Sequence, residues 1–246
     1  AQLLWVETPS NPLLRITDIE GVSARAHRAG AKVAVDNTFL SPALQTPLAI
    51  GADYVVHSTT KYLNGHSDVV GGAVVAKSAE DLQQLAWWAN CLGITGSAFD
   101  SFLTLRGMRT LHARMDIHER NSRELAQWLA QQPGIEAVFY AGLESHPQHE
   151  LAREQMRLGG TVIAVEVAGG FDACQSLVSQ LQVVRIATSF GGPETLVCHP
   201  ATSTHVGLSP EALATMGVTD GLLRFSIGLE DADDLVDDLH RAIATL

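Results

Sequence analysis

The feature that most constrains the fold of this chain is an alternation of short apolar runs with helical stretches in residues 1–76. Three runs, Leu3–Val6, Lys32–Val35 and Tyr54–Val56, end in polar turns, which is typical of buried strands. Residues 18–29 carry the cap and stop signals of a helix, and residues 42–50 are predicted to form a second, shorter helix. Strands and helices in alternation, with continuously apolar strands, predict an α/β fold on a mostly parallel sheet.

Polar residues follow the carboxyl end of each of these three runs. They occupy residues 7–11, 36–38 and 58–61. In a parallel sheet the carboxyl ends of neighbouring strands lie at one edge, and ligands bind there. We therefore expect the three polar turns to converge on one site.

Lys61 lies in the last of these turns, between Tyr54–Val56 and a second β-branched run at 69–76. Partial desolvation between two buried strands would lower the pKa of its amine and provide a neutral nucleophile or base. The hydroxyl groups that precede it, among them those of Ser58 and Thr60, suit a phosphate. A pyridoxal phosphate site needs an amine next to a phosphate-binding turn. An exposed lysine in a polar loop explains this stretch equally well.

Four further residues have both a functional and a structural interpretation. Asp36 could face a protonated pyridine nitrogen, or it could be a turn or cap residue. Asn11 could donate to a phenolate oxygen, or it could only form a turn before proline. Arg224, inside the apolar run Leu222–Ile227, needs an anion such as a substrate carboxylate, and an internal salt bridge serves nearly as well. Ser189 opens a Ser-Phe-Gly-Gly stretch whose simplest interpretation is a glycine turn.

The rest of the chain is predicted to complete this first domain and to form a second one. Residues 98–132 have helical spacing nearly throughout, so we expect one long helix that joins the domains 1–110 and 111–246. Further strands are predicted at 135–139, 160–167, 183–187 and 222–227, and further helices at 79–90, 149–158, 171–180, 209–216 and 231–246.

Composition and motifs argue against several functional classes. The net charge of −11, without Lys/Arg clusters, argues against nucleic acid and against an anionic membrane surface as partners. No apolar run approaches the roughly 18 residues that a membrane helix requires. Cys91, Cys174 and Cys198 form neither a disulfide framework nor a zinc motif, which fits a reducing compartment and a cytoplasmic protein.

The histidines and short motifs point away from other chemistries. His199 and His205 match no standard zinc spacing, so structural or capping roles are expected for them and no metal site is predicted. The dinucleotide, P-loop and hydrolase nucleophile-elbow motifs do not occur in the sequence.

Several segments resemble the Cys/Met-metabolism family of pyridoxal-phosphate enzymes, which contains cystathionine γ-synthases, cystathionine γ- and β-lyases, methionine γ-lyases and homoserine sulfhydrylases. The segments run almost end to end, in the same order as in the family. They are 7–12 (ETPSNP), 35–39 (VDNTF), 58–68 (STTKYLNGHSD), 97–102 (SAFDSF), 105–111 (LRGMRTL), 199–202 (HPAT) and 223–230 (LRFSIGLE). Residues 86–90 (AWWAN) and 93–96 (GITG) are most similar to bacterial cystathionine γ-synthases.

The resemblance implies a fold and a set of residue roles. The fold is that of fold-type I, aspartate-aminotransferase-like enzymes, with 1–110 as the carboxyl-terminal portion of the large cofactor-binding domain and 111–246 as the smaller α/β domain. The implied roles are Lys61 as the Schiff-base lysine, Asp36 at the pyridine nitrogen, Ser58 and Thr60 at the phosphate, Asn11 near the ring hydroxyl, Ser189 positioning the lysine and Arg224 binding the substrate carboxylate.

The resemblance also implies an activity and an assembly. The activity is γ-replacement in trans-sulfuration and methionine biosynthesis, in which O-succinylhomoserine or O-acetylhomoserine and cysteine give cystathionine and the free acid. The assembly is a homotetramer, a dimer of dimers with shared active sites. A cystathionine γ-lyase, a homoserine sulfhydrylase and an inactive fragment that only assembles with partners are the alternatives.

Two departures from the family pattern bear on these implications. Thr188 stands where the synthases and γ-lyases often carry an acid, which leaves the substrate open. The chain opens without an initiator Met inside a strand-like run, so we expect a fragment or a processed product that lacks the family's amino-terminal segment. That segment would carry an aromatic residue on the ring, more phosphate ligands and residues lent to the neighbouring subunit.

Overall fold

The computed structural model describes residues 1–244 and 246 and contains two β-sheets with helices packed around them. The strands are β1 (Leu3–Glu7), β2 (Lys32–Asp36), β3 (Tyr54–Ser58), β4 (Gly72–Ala76), β5 (Ile135–Phe139), β6 (Val162–Val167), β7 (Arg185–Ile186), β8 (Leu196–Cys198) and β9 (Leu222–Ser226). The helices are α1 (Ile19–Arg28), α2 (Ser41–Leu44), α3 (Ala79–Leu92), α4 (Ala98–Met108), α5 (Leu111–Leu129), α6 (His149–Gln155), α7 (Gly170–Gln180), α8 (Pro210–Met216) and α9 (Ala232–Ile243).

The first sheet has the order β1-β2-β3-β4, and its first three strands are parallel as predicted. The register pairs Glu7 with Asp36 and Asp36 with Val56, so the three strands end side by side. Only β4 runs antiparallel to its neighbour. The predicted convergence of the polar turns that follow β1, β2 and β3 is therefore confirmed.

The outer strands of this sheet are more exposed than the sequence suggested. Leu3 and Trp5 of β1 are 48% and 56% exposed, and Val74 and Val75 of β4 are each 46% exposed. The expectation that Leu3–Val6 and the run at 69–76 form buried strands is therefore wrong for these positions. The reason is topological, because β1 and β4 are the two edges of the sheet within the described part of the chain.

The second sheet has the order β5-β6-β9-β8-β7 and is mostly antiparallel. It packs against α5, α7 and α9 around a core that includes Leu125, Leu177, Phe225 and Leu239. The strand β8 was not predicted from the sequence, although all three of its residues are buried. Three residues are too few to show a strand period, whereas the expected strand at 183–187 is reduced to the two residues of β7.

The predicted long helix over 98–132 is divided into α4 and α5 at Arg109 and Thr110. The break arises because side chains occupy the carbonyl of Gly107, which would otherwise accept a bond within a continuous helix. The Thr110 hydroxyl donates to that carbonyl at 3.2 Å, and Arg114 Nη2 donates to it at 2.9 Å. Side-chain donors of this kind compete with helical hydrogen bonds.

Two other predicted helices are shorter than expected. The helix expected over 42–50 is broken into α2 and a 3₁₀ turn over Pro47–Ile50, since a residue that precedes proline is disfavoured in the helical region. The helix expected over 149–158 ends at Gln155, where Met156 adopts an extended conformation. The predicted terminal helix 231–246 ends at Ile243, and Thr245 lies outside the described residues.

A shared core joins the two parts of the chain. Leu40, Leu44 and Tyr62 from the first part pack with Met115 and Met156 from the second. The Gln155 side chain accepts from the Ile19 N–H and donates to Gln45 across the same junction. The predicted domain boundary near residue 110 coincides with the α4–α5 break, and it stays a prediction.

Among the described residues, no helix combines the length and the apolarity needed to cross a bilayer.

We predict that Gly107→Ala destabilises the protein, because a Cβ at Gly107 would overlap the carbonyl group of Asn64 in the loop that carries Lys61. Helix propensity alone would favour alanine by up to about 1 kcal/mol, and the overlap should reverse this to a loss of about 1–3 kcal/mol. Denaturant titration measures the change. Gly207→Ala is the matched control, since a Cβ there meets nothing within 4 Å. Equal stability of the two variants would contradict the close packing of Gly107 against the Asn64 carbonyl.

Candidate active site

Lys61 follows β3 in a loop that buried side chains hold in place. Tyr62, the next residue, is 0% exposed, and its hydroxyl is hydrogen-bonded to Thr161. Arg114 on α5 donates from Nη1 to the Tyr62 carbonyl at 3.0 Å. The residue that follows Lys61 is thereby tied to α5 and to Thr161, which directly precedes β6. Arg114 could not be singled out from the sequence, because one arginine among several charged residues of an amphipathic helix carries no signal of burial.

The Lys61 amine faces the second sheet. Its Nζ donates to the Ser189 Oγ at 2.8 Å. Burial lowers the pKa of the amine, and the positive charge of Arg224 lowers it further. The predicted desolvation of Lys61 is confirmed in direction, and the predicted contact between Ser189 and the lysine is present.

Arg224 lies in the middle of β9 and is 2% exposed. Its Nη1 donates to Asn11 Oδ1 at 2.9 Å, and its Nη2 donates to the carbonyl oxygens of Thr188 and Ser189 at 2.7 and 3.2 Å. Its Nε is buried and has no hydrogen-bond partner within the described part of the chain. All of these partners are neutral, and no ion pair to Arg224 is found among the described residues, so the predicted alternative of an internal salt bridge is wrong.

Asp36 ends β2 beside the loop that carries Lys61. Its Oδ1 accepts from the N–H and the hydroxyl of Thr38 at 3.0 and 2.6 Å. The Thr38 hydroxyl oxygen in turn accepts the N–H of Ser58 at 2.8 Å. Asp36 is thus held by a local turn, as the structural interpretation predicted, while its second oxygen has no hydrogen bond to any described residue. Both interpretations of Asp36 therefore remain compatible with the geometry.

The two predicted phosphate ligands differ in their availability. The Ser58 hydroxyl has no hydrogen-bond partner in the described residues and is free to donate. The Thr60 hydroxyl accepts the N–H of Gly71 at 3.0 Å and donates to the Gly71 carbonyl at 3.3 Å. To donate to a phosphate, Thr60 would have to exchange its long bond to the carbonyl.

Asn11 connects the first sheet to the second. Its side-chain oxygen is used by Arg224. Its backbone carbonyl lies beside the ring of His205, and burial together with Arg224 lowers the pKa of that imidazole. The side-chain amide N–H groups of Asn11 are therefore the groups that remain for a ligand. His199 donates from Nε2 to the Asp220 carbonyl, and its Nδ1 is hydrogen-bonded to the Thr202 hydroxyl, which matches the structural role predicted for it.

Glu7 lies in the first of the three polar turns that were predicted to converge, but the sequence suggested no individual role for it. It ends β1 opposite Asp36, and its surroundings desolvate the carboxyl group although the residue as a whole is exposed. This desolvation raises the pKa of Glu7 to about 7, and the negative charge of Asp36 adds to the effect. The sequence signal was present, since a carboxylate at the end of a parallel strand is a candidate ligand position.

Phe39 and Phe190 were also missed. Their rings stack with centroids 4.5 Å apart, and Phe190 lies against both Lys61 and Arg224. Phe190 belongs to the stretch that was interpreted as a glycine turn. Apolar residues in such a turn give no signal of their own in a single sequence.

These groups fit the cofactor that the sequence resemblance implies. Within the described part of the chain, the site offers the half-buried amine of Lys61, the Asp36 carboxylate with a free oxygen, the free hydroxyl of Ser58 and the buried guanidinium of Arg224, whose Nε lacks a partner. The amine suits the aldehyde carbon of the cofactor, the carboxylate its ring nitrogen and the hydroxyl its phosphate. The guanidinium suits the carboxylate of a substrate.

Comparison with known proteins gives the same fold and the same family. The family model described as Cys/Met metabolism PLP-dependent enzyme matches residues 1–244. The crystal structure of cystathionine gamma synthase from Xanthomonas oryzae pv. oryzae in complex with aminoacrylate and cysteine superposes with a TM-score of 0.97 and 54% identity, over 100% of this chain and 64% of that chain. The predicted fold class is thereby confirmed.

Two curated relatives show how wide the functional range is. Cystathionine gamma-synthase of Escherichia coli (strain K12) is 48% identical over 239 residues, which are 97% of this chain and 62% of that protein. O-succinylhomoserine sulfhydrylase of Pseudomonas aeruginosa is 46% identical over 245 residues, which are 100% of this chain and 60% of that protein. The chain thus spans less than two thirds of the length of these relatives, and it belongs to the Cys/Met-metabolism family of pyridoxal-phosphate-dependent enzymes.

Proposed function

We propose that this chain supplies the lysine, the ring-nitrogen partner and the carboxylate-binding arginine of a γ-replacement enzyme. The reaction is O-succinylhomoserine, or O-acetylhomoserine, with L-cysteine to cystathionine and the free acid. One observation carries the proposal: a buried arginine that has no carboxylate partner among the described residues lies beside a half-buried lysine amine. An α-amino acid substrate brings the carboxylate that such an arginine lacks.

Arg224 would bind the substrate α-carboxylate and fix its orientation. A carboxylate can take hydrogen bonds from the guanidinium in a forked arrangement, which holds the substrate more firmly than a point charge would. Asn11, Thr188 and Ser189 hold the guanidinium through three hydrogen bonds and so define its plane. The substrate Cα would then be presented to the side of the site on which Lys61 lies.

Lys61 would hold the cofactor and then move the substrate proton. Pyridoxal phosphate, when bound, supplies an electron sink for the pair left by that proton. An amine whose pKa is lowered by burial and by Arg224 has a larger neutral fraction near neutral pH, which is the form that accepts a proton. The Ser189 hydroxyl, 2.8 Å from Nζ, would keep the released amine on the substrate side.

Asp36 and Ser58 would hold the two ends of the cofactor. The unpaired oxygen of Asp36 would keep a proton on the ring nitrogen, while Thr38 fixes the other oxygen. The Ser58 hydroxyl would donate to the phosphate, and Thr60 would join it by exchanging its bond to Gly71. Asn11 would offer its amide to the ring hydroxyl while its oxygen stays on Arg224.

The choice of γ-replacement with cysteine rests on the relatives. The Escherichia coli and Xanthomonas relatives are synthases, and the second was solved with cysteine in the complex. The sulfhydrylase relative is nearly as similar, at 46% against 48% identity, so sulfide is the second candidate thiol. Thr188 is exposed beside Arg224, where it offers a hydroxyl and no charge to the substrate.

The assembly that we propose is a homotetramer whose dimers share active sites. Its support is an apolar face on α3, α4 and their connection that the described residues leave open. Six of its side chains, each more than half exposed, are Trp87, Trp88, Ile94, Phe99, Phe102 and Leu105. Exposed apolar patches of this size mark association surfaces. Sedimentation equilibrium of the complete protein should give the mass of four chains, and a fully active monomer would refute the assembly.

The reaction is tested by incubating the complete enzyme with O-succinylhomoserine and equal amounts of cysteine and sulfide. We expect cystathionine as the main product, with release of one succinate for each cystathionine formed. Homocysteine as the main product would replace the proposal with a sulfhydrylase. Consumption of added cystathionine to cysteine, 2-oxobutyrate and ammonia, with the acyl homoserine ignored, would establish a γ-lyase. If the cofactor-loaded protein turns over none of these substrates, the remaining interpretation is an inactive protein that only assembles with partners.

We predict that Lys61 is the residue attached to the cofactor. Borohydride reduction followed by peptide mapping should place the label on Lys61 and leave Lys32 and Lys77 unlabelled. Lys61→Ala should lose the absorbance of the lysine-bound cofactor, whereas Lys77→Ala, the matched control, should keep it. A label on either other lysine would contradict the assignment.

A further inference from the structure

The ring of Phe190 lies against both cationic groups of the site. Lys61 Nζ is 4.7 Å from the ring centroid, and the guanidinium carbon of Arg224 is 5.5 Å from it. Both separations lie within the roughly 6 Å over which the negative face of an aromatic ring attracts a cation. One ring therefore contacts both the proposed proton acceptor, Lys61, and the proposed carboxylate-binding group, Arg224.

Phe190 is itself fixed by aromatic contacts from the other part of the chain. It stacks on Phe39 with an interplanar angle of 8° and a centroid separation of 4.5 Å. It also contacts the buried ring of Tyr62 at 6.0 Å. Phe39 follows β2 and Tyr62 follows Lys61, so the Phe190 ring is held by the first sheet while it belongs to the second. Its position is coupled to the relative placement of the two sheets.

The two cations have no ion-pair partner among the described residues, although the Glu7 carboxylate attracts Arg224 at longer range. The positive charge of Arg224 lowers the pKa of the Lys61 amine. The remaining charged groups at the site are Glu7 and Asp36, which end β1 and β2. An aromatic face attracts both cations without neutralising either, so Arg224 stays available to an incoming anion.

We propose that Phe190 is a positioning residue that sets the distance between the Lys61 amine and the Arg224 guanidinium by holding both against one aromatic ring. This inference rests on the proposed function, in which the distance between the amine and the guanidinium has to match the distance between a substrate's Cα–H and its carboxylate. A ring that only filled space would act through its volume, and an aliphatic residue of similar size could replace it.

The test uses Phe190→Leu, which removes the aromatic face and keeps apolar volume, and Phe190→Tyr, which keeps the ring. Phe171→Leu is the matched control, since Phe171 packs against His199 and touches neither cation. The first readout is the rate of Lys61 labelling by a neutral amine reagent against pH, in the complete protein freed of cofactor. Peptide mapping separates Lys61 from Lys32 and Lys77, and Lys77 serves as the internal standard.

Loss of the ring removes a contact that favours the ammonium form. The labelling curve of Phe190→Leu should therefore move to lower pH by about half a unit, and those of Phe190→Tyr and Phe171→Leu should stay in place. In the loaded enzyme, KM for the amino acid substrate should rise about two- to fivefold in Phe190→Leu, while kcat changes less. An unchanged labelling curve in Phe190→Leu, or equal effects of leucine and tyrosine, would overturn the proposal. The labelling readout involves no turnover, so it is independent of which reaction the enzyme performs.

Discussion

The arrangement of this site depends on one buried charge that the described residues do not neutralise. Arg224 is 2% exposed in the centre of the second sheet, and its hydrogen-bond partners are an amide oxygen and two backbone carbonyls. Removing a guanidinium from water costs several kcal/mol unless an anion compensates it, and neutral oxygens offset only part of that cost. An anionic ligand that pairs with this guanidinium therefore gains binding free energy from a charge that the described residues leave unpaired. The positions of Asn11, Thr188 and Ser189 follow from the need to hold this arginine.

The loop around Lys61 shows the same contrast. The polar groups next to Lys61 are hydrogen-bonded, whereas the lysine amine has few hydrogen bonds to the described residues. Arg114 donates to the Tyr62 carbonyl and the Tyr62 hydroxyl is hydrogen-bonded to Thr161, whereas the amine itself is hydrogen-bonded only to the Ser189 hydroxyl among the described residues. The close approach of Gly107 to Asn64 allows α4 to pack against this loop. The loop that carries the amine is rigidly held, and the amine has few hydrogen-bond partners among the described residues. The amine is therefore available for reaction. Functional sites that are preorganised on sheets and helices share this division between support and reactive group.

The sequence predicted the part of the structure that depends on strand order and strand ends. Lys61, Asp36 and Asn11 each follow a parallel strand, so their convergence could be inferred from three polar turns alone. The sequence could not predict the break at Thr110, because it depends on Arg114 reaching a carbonyl seven residues away. It suggested no individual role for Phe190 or Glu7, because their roles arise from contacts between distant segments. The exposure of Trp5 and Val74 was missed for a similar reason, since strand composition does not reveal which strands are edges.

The central claim, that the buried charge of Arg224 is reserved for a substrate carboxylate, is tested most directly by a binding cycle. The cycle compares the affinity of the loaded wild-type enzyme and of Arg224→Met for L-homoserine and for its amide, which lacks the carboxylate charge. A hydrogen-bonded charge pair contributes about 1.5–3 kcal/mol, so wild type should prefer the acid by about 10- to 100-fold. Methionine suits a buried strand position, and the preference should vanish in Arg224→Met. A preference for the acid that persists in the variant would contradict the account.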